Sequence, residues 1–420
     1  MRKNNAVVFG LLLFPVMIAL LSMAGFLFDV TINRLYAFLS LIASLIGTWF
    51  VASEEKKSCV LWVCGIIIAS IVIAGLPVMY AIADSDNYHR PATILLINGW
   101  NPLRIRDLES IAKLMGGGFA DWHTAFLPRL MWIYGASLYK WFGFVEVADS
   151  LNVLMFFAAF ITVRTWLRDR IRICNRYLNL LINLAICCAP VVVHGVCSGT
   201  FCGTVDSAMY TSFLIAVIAA DTKNLPCMVL AIVVMTGLKF TGCVIGVLIF
   251  AVYMIFNLCE WKRYLVSGLL CGILILLTNI SPYITSMLDH GGPFYPAHSF
   301  IKSEKFSPEQ TPMTGIFSVM NEDAKEMGYM GRFAWAYISQ SATKKYYAIK
   351  TGREDYNPDF KVSGGVSGFG IAFRFMFVVS LIGWLFIRNK ACHAIMSIIL
   401  ISVLVQPTFY SAPKEISSGR

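Results

Sequence analysis

Apolar residues along this chain gather in long unbroken runs and do not alternate with polar ones. The first, AVVFGLLLFPVMIALLSMAGFLF at 6–28, is apolar on every side of a helix. A helix rising 1.5 Å per residue needs about 20 such residues to cross about 30 Å of hydrocarbon. Comparable runs at 34–52 and 58–83, then near 147–166, 179–196, 204–220, 226–240, 241–257, 263–282, 367–387 and 392–410, predict about eleven spanning helices. Spanning β-strands would instead alternate over about ten residues. The pattern predicts an all-α integral membrane protein, a single polytopic domain over 1–420. Two long segments of mixed character, 84–146 and 283–366, interrupt the runs. Within the first, Leu127, Leu130, Tyr134, Leu138 and Trp141 recur at helical spacing, with Arg129 and Lys140 on a polar side. That predicts a helix lying in the headgroup layer. No AxA-type cleavage site follows the first run, which is therefore read as a retained helix. No internal repeat is visible, which disfavours the common architectures of secondary transporters.

Composition agrees: 58% of residues are hydrophobic, 14% are charged, and the mean hydropathy is +0.69. That is well outside the roughly 25% charged composition of a soluble globular domain, and the several separate apolar runs exclude a soluble enzyme with one anchor. The net charge of +10 comes from 34 Lys and Arg against 24 Asp and Glu. The basic residues cluster beside apolar runs: Arg2 and Lys3; Lys56 and Lys57; Arg164 to Arg176; Lys262 and Arg263; Arg388 and Lys390. That placement reads as the positive-inside rule and not as nucleic-acid binding. It puts the N-terminus in the cytoplasm and both long segments outside. The 12 Cys lie almost entirely in apolar runs or basic loops, as inert small hydrophobes; only Cys197 and Cys202 reach an oxidising side.

Candidate chemistry follows the topology. Five of six His (His89, His123, His194, His290 and His298) fall in or beside the external face. The first external segment opens with Asp84, Ser85, Asp86, Asn87, Tyr88, His89, Arg90 and Pro91. If a helix continues there, Asp84, Asn87 and Tyr88 share a face, and a carboxylate among hydrogen-bonding partners suits a general base. The same residues also fit a charged helix end above the headgroups. His89 reads as a structural or supporting residue. Lys239 suits a phosphate, or equally a lysine snorkelling to the interface. Asp289, His290 and His298 match no metal-ligand spacing, and no metal site is expected, although a divalent cation stays open. No Rossmann, P-loop or Ser-His-Asp signature is present.

Five collinear pieces carry a resemblance. The segment DSDNYHRPATILLINGWNP at 84–102 is similar to the first external loop of the GT-C polytopic glycosyltransferases. His123 with Pro128 and the stretch Trp132 to Gly143 resembles their second interfacial helix. Thr204, Val205 and Asp206 stand where relatives carry a second external Asp. Leu238 to Gly242 resembles a recurrent LKFTG element, and Gly291 to Pro296 a GNPFYP element. The resemblance implies transfer of a hexosyl or pentosyl group from a polyprenyl-phosphate donor, held between helices among membrane lipids, to a glycan or lipid acceptor on the outer face of the inner membrane. It assigns Asp84, with Asp86 in reserve, as catalytic, and Asn87, Tyr88, His89, Arg90, Asp206 and Lys239 as substrate-binding. Relatives continue into further helices after an Arg-Tyr turn, so a shortened C-terminal part is expected here. Two rivals remain: an O-antigen polymerase or ligase resting on Arg332 and Arg353, and a transporter or flippase resting on Asp206 and Lys239 as intramembrane charges.

Overall fold

The computed structural model describes residues 1–76, 85–116, 122–170, 175, 177–178, 180–181, 204–294, 393 and 397. The chain divides into Met1–Tyr295 and Pro296–Arg420, and the helices that follow belong to the first unit. Three helices begin it: α1 (Lys3–Leu27), α2 (Arg34–Val51) and α3 (Lys56–Ala74). A π-helical turn at Ser85–His89 runs into the short helices α4 (Arg90–Ile97), α5 (Leu108–Leu114), α6 (Trp122–Phe126) and α7 (Leu130–Phe142). A 3-10 turn at Val145–Asp149 leads to α8 (Ser150–Arg170). Then follow α9 (Asp206–Asp221), α10 (Leu225–Leu238), α11 (Phe240–Phe256), α12 (Trp261–Thr278) and, after a second π turn at Ile280–Ile284, α13 (Thr285–His290).

Five helical stretches are long and apolar enough to cross a membrane: Lys3–Leu27, Arg34–Val51, Lys56–Ala74, Val145–Arg168 and Leu258–Thr278. This is a multi-pass membrane protein. Helix α1 is its hub, 72% buried over its most apolar window and packed on α2, α3, α8 and α10. The corresponding share for the stretch containing α12 is 17%, and its Leu265, Leu269, Ile273 and Leu276 face outward, as lipid-facing residues do. The α1–α2 contact depends on small side chains: Ser44 Oγ donates to the Gly10 carbonyl, and a Cβ at Gly10 would overlap Thr48 Oγ1.

Helix termini gather at two ends. At the basic end, Lys3 pairs with Glu55 at 2.5 Å, Asn4 donates to Thr165 at 2.8 Å, and Trp166 Nε1 donates to Asp221 at 2.8 Å. Lys223 pairs there with Glu260. At the opposite end, Asn101 Nδ2 donates to the Phe26 carbonyl at 3.0 Å and Trp141 Nε1 to the Arg34 carbonyl at 2.8 Å. Residues 85–149 collect there, and Arg129 among them donates to Ser281 Oγ in the turn after α12, which the Tyr283 hydroxyl ties to α10 by donating to the Thr236 carbonyl at 2.8 Å.

Two expectations need correction. The third helix stops at Ala74, not at residue 83, with Gly75 as its C-cap. The segment expected to lie in the headgroups with Arg129 on a wet side is instead α7, buried from Leu130 through Leu138, and Arg129 is 1% exposed. The cause is enclosure: α1, α2, α4 and the 3-10 turn all pack on α7, so no face of its first turns is left for water. The expected spans at 179–196, 367–387 and 392–410 lie outside the described residues apart from isolated positions.

Candidate functional site

The loop-bearing end brings together residues from separate pieces of sequence. The π turn places His89 at the start of α4, where its carbonyl accepts from Thr93 Oγ1 at 2.9 Å. Its ring is buried against Trp132 of α7, whose Nε1 donates to His89 Nδ1 at 2.8 Å. Tyr88 stacks on His123 of α6, with centroids 4.5 Å apart and planes at 16°. Burial holds the His89 pKa down to about 3; Lys239 and His123 add to the depression and Asp206 opposes it. The imidazole is therefore neutral near pH 7. Because its folded pKa lies below the unfolded value of 6.5, its contribution to stability is fully present above about pH 6.5 and is lost as pH falls toward 3.

Beside His89 stands an ion pair between Asp206 and Lys239. Asp206 is the first residue of α9, and Asn152 of α8 fixes that start twice: its Nδ2 donates to the Thr204 carbonyl at 2.9 Å, and its Oδ1 accepts from Ala208 N at 3.1 Å. Lys239 occupies the break between α10 and α11 in extended conformation, φ −147° and ψ 149°. A Cβ at Gly242 would overlap the Met235 carbonyl, so the LKFTG sequence needs its glycine for α11 to pack back on α10. The two charged side chains stay half in solvent, 54% exposed for Asp206 and 40% for Lys239. Phe240, Tyr283 and Phe294 form a cluster of edge-to-face rings beside the break.

Arg129 is the site's buried cation. Its guanidinium donates to Ser281 Oγ and to the Ala125 carbonyl and lies over the Trp100 ring, 5.2 Å from its centroid. Among the described residues no carboxylate pairs with it and its Nε has no partner, and burial lowers its pKa from 12.5 to about 9. It ties α6, α7, the Trp100 loop and the turn after α12 into one body. A narrow cleft lies nearby, lined in part by His89, Trp132, Glu146 and Asp149, with a volume of about 10 Å³. That is room for one water-sized group.

Of the residues singled out from sequence, Tyr88, His89, Asp206 and Lys239 meet at this end. Arg90 and Asp86 pair with each other at 2.9 Å, in a bridge only partly shielded from solvent. Arg106 pairs with Asp289 at 2.9 Å, and His290 packs edge-on to Phe126. Asp84, the Asn87 side chain, Cys197, Cys202, His298, Arg332 and Arg353 lie outside the described residues. Trp132, Arg129 and Ser281 are the residues that sequence reading missed. The available signal was one arginine directly after Pro128 in a segment otherwise rich in Trp, Tyr and Leu. Among the described residues, no group of three or more His, Cys, Asp or Glu could hold a metal ion. Compared with protein-family models, with curated proteins and with solved structures, the chain matches none.

Proposed function

We propose that this chain is a membrane glycosyltransferase of the GT-C kind. It moves a sugar from a polyprenyl-phosphate donor to a cell-envelope acceptor, lipopolysaccharide or another glycan, on the outer face of the inner membrane. In this reading its N-terminus is cytoplasmic, the basic end of the bundle faces the cytoplasm, and about eleven helices span in all. The observation that carries the proposal is the meeting of His89, Asp206 and Lys239 at one end of the bundle, from three of the five pieces that resemble the family. A donor delivered on a lipid needs a cation for its phosphate at the edge of the apolar layer and polar groups for its sugar. The sequence holds no nucleotide-binding motif, and the outer face has no supply of nucleotide sugars.

The ion pair sets the mechanism. A pair this exposed is worth at most about 1 kcal/mol, so a phosphate displaces Asp206 from Lys239 at little cost from this contact. The released carboxylate then stands near His89, free to hold a hydroxyl, while Asp84 takes the proton from the acceptor hydroxyl as it attacks the anomeric carbon and the lipid phosphate leaves. A transporter would place such a pair near the middle of the membrane; here it sits at the termini of α9 and α10.

The two halves of the pair should respond with opposite sign. Losing a charge-assisted contact to phosphate costs on the order of 1.5–3 kcal/mol, so Lys239→Ala should raise the KM for a purified polyprenyl-phosphate sugar about ten- to a hundredfold. Asp206→Asn removes one competitor for Lys239 and should lower that KM. A Lys239→Ala protein with unchanged donor dependence would remove the lysine from the donor site.

A further inference from the structure

We infer that Trp132 is a positioning residue that fixes His89 as a neutral hydrogen-bond donor, its Nε2–H offered to a substrate oxygen and its Nδ1 permanently occupied. The indole nitrogen of Trp132 is a donor only, so the 2.8 Å contact makes Nδ1 the acceptor. A neutral imidazole carries a single N–H, which must then reside on Nε2. Nothing among the described residues accepts from that atom, although the residue is only 5% exposed. Nε2 is not among the fully buried unpartnered atoms, so its proton faces accessible space and can be offered to an oxygen that arrives there. The adjoining cleft admits one water-sized group, the size of a single hydroxyl or phosphoryl oxygen and too small for a sugar ring.

The same geometry bars His89 from acting as a base. Its only lone pair is taken by Trp132, and its other nitrogen already carries a proton. The charged groups around it arise from five elements: Lys239 at the α10–α11 break, Asp206 of α9, His123 of α6, Arg90 of α4, and Glu146 and Asp149 of the 3-10 turn. Of those that act on its charge, Lys239 and His123 oppose protonation and only Asp206 favours it, and burial outweighs all three. His89 should therefore remain neutral and in one tautomer from pH 8 down to pH 5.

The tautomer can be read without any assay of activity, whereas the identity of the oxygen as the substrate's rests on the proposed function. Full-length protein labelled with ¹⁵N-histidine, in lipid nanodiscs, is compared with His89→Gln, and the difference spectrum isolates His89. At both pH 5 and pH 8 it should show a protonated Nε2 and a bare Nδ1. In Trp132→Phe the signal should become a mixture of tautomers or begin to titrate between these two pH values. A doubly protonated ring at pH 5, a proton on Nδ1, or a Trp132→Phe spectrum identical to wild type would each overturn the inference.

Sugar transfer tests the donor role separately. The amide of Gln at position 89 carries an N–H near the place of Nε2–H, whereas the shorter Asn offers an oxygen near the place of Nδ1 and no donor at that reach. If His89 donates to substrate, His89→Gln should exceed His89→Asn in rate by at least about tenfold. Asn matching or exceeding Gln would mean that the residue only anchors Trp132. Failure of the wild-type protein to transfer sugar would sink the proposed function and leave the tautomer to the spectra.

Discussion

Asp84→Asn is expected to abolish sugar transfer while leaving the amount of protein in the membrane unchanged. Three other candidate groups at this end have competing commitments. Asp206 is neutralised by Lys239, Asp86 is held by Arg90 at 2.9 Å, and His89 has given its only lone pair to Trp132. Asp84 immediately precedes the π turn that carries Tyr88 and His89, and the proposed function assigns the base to it. Asparagine keeps the size and most of the hydrogen bonding and loses only the charge and the basicity. A general base contributes about 10²- to 10⁴-fold to a rate, and a loss of that size should appear in the initial rate of transfer by protein reconstituted at matched abundance. Asp86→Asn should be mild, because the bridge it breaks is partly solvated and worth at most about 1 kcal/mol. Near wild-type transfer by Asp84→Asn would mean that the base is another residue.

The largest stability effect is expected at Arg129, and its sign depends on the replacement. Burial that lowers a base from 12.5 to about 9 corresponds to roughly 5 kcal/mol at about 1.36 kcal/mol per pH unit. Against this stand two hydrogen bonds from a charged donor, about 1.5–3 kcal/mol each, and a contact with the Trp100 ring worth about 0.5–2 kcal/mol. The opposing contributions nearly cancel, so the charge itself adds little net stability and the packing of the side chain decides the outcome. Arg129→Met retains the volume and should unfold within about 1 kcal/mol of wild type. Arg129→Ala opens a cavity between α7, Trp100 and the Ser281 turn and should cost about 2–4 kcal/mol, read as a lower midpoint in thermal unfolding in detergent. Equal losses for Met and Ala would show that the hydrogen bonds, and not the packing, hold this end together.

The sequence was most informative where one physical effect dominates. Apolar runs of membrane length became α1, α2, α8 and α12 within a few residues, because hydrocarbon tolerates little besides an apolar helix. The third helix ended early at Gly75, since an apolar run alone carries no signal for its own end. The π turn was also invisible: at 85–89 an α-helical spacing assigns neighbours one residue differently from the structure. The pairing of Asp206 with Lys239 joins residues 33 apart on different helices, and composition at either position gives no sign of the other. Arg129 was misplaced because a lone arginine in an aromatic segment fits a wet helix face as well as a buried anchor, and only the enclosure of α7 by α1, α2 and α4 separates the two. His89 was legible as a polar residue of the first long mixed segment, 84–146. Its role as a fixed donor was not, since that depends on a tryptophan 43 residues away.

The most direct test of the account is the identity of the donor. Purified protein in liposomes should transfer labelled sugar to envelope glycan from a polyprenyl-phosphate sugar, and should not do so from the matching nucleotide sugar. Transfer from the nucleotide sugar with no lipid-linked intermediate would contradict the account.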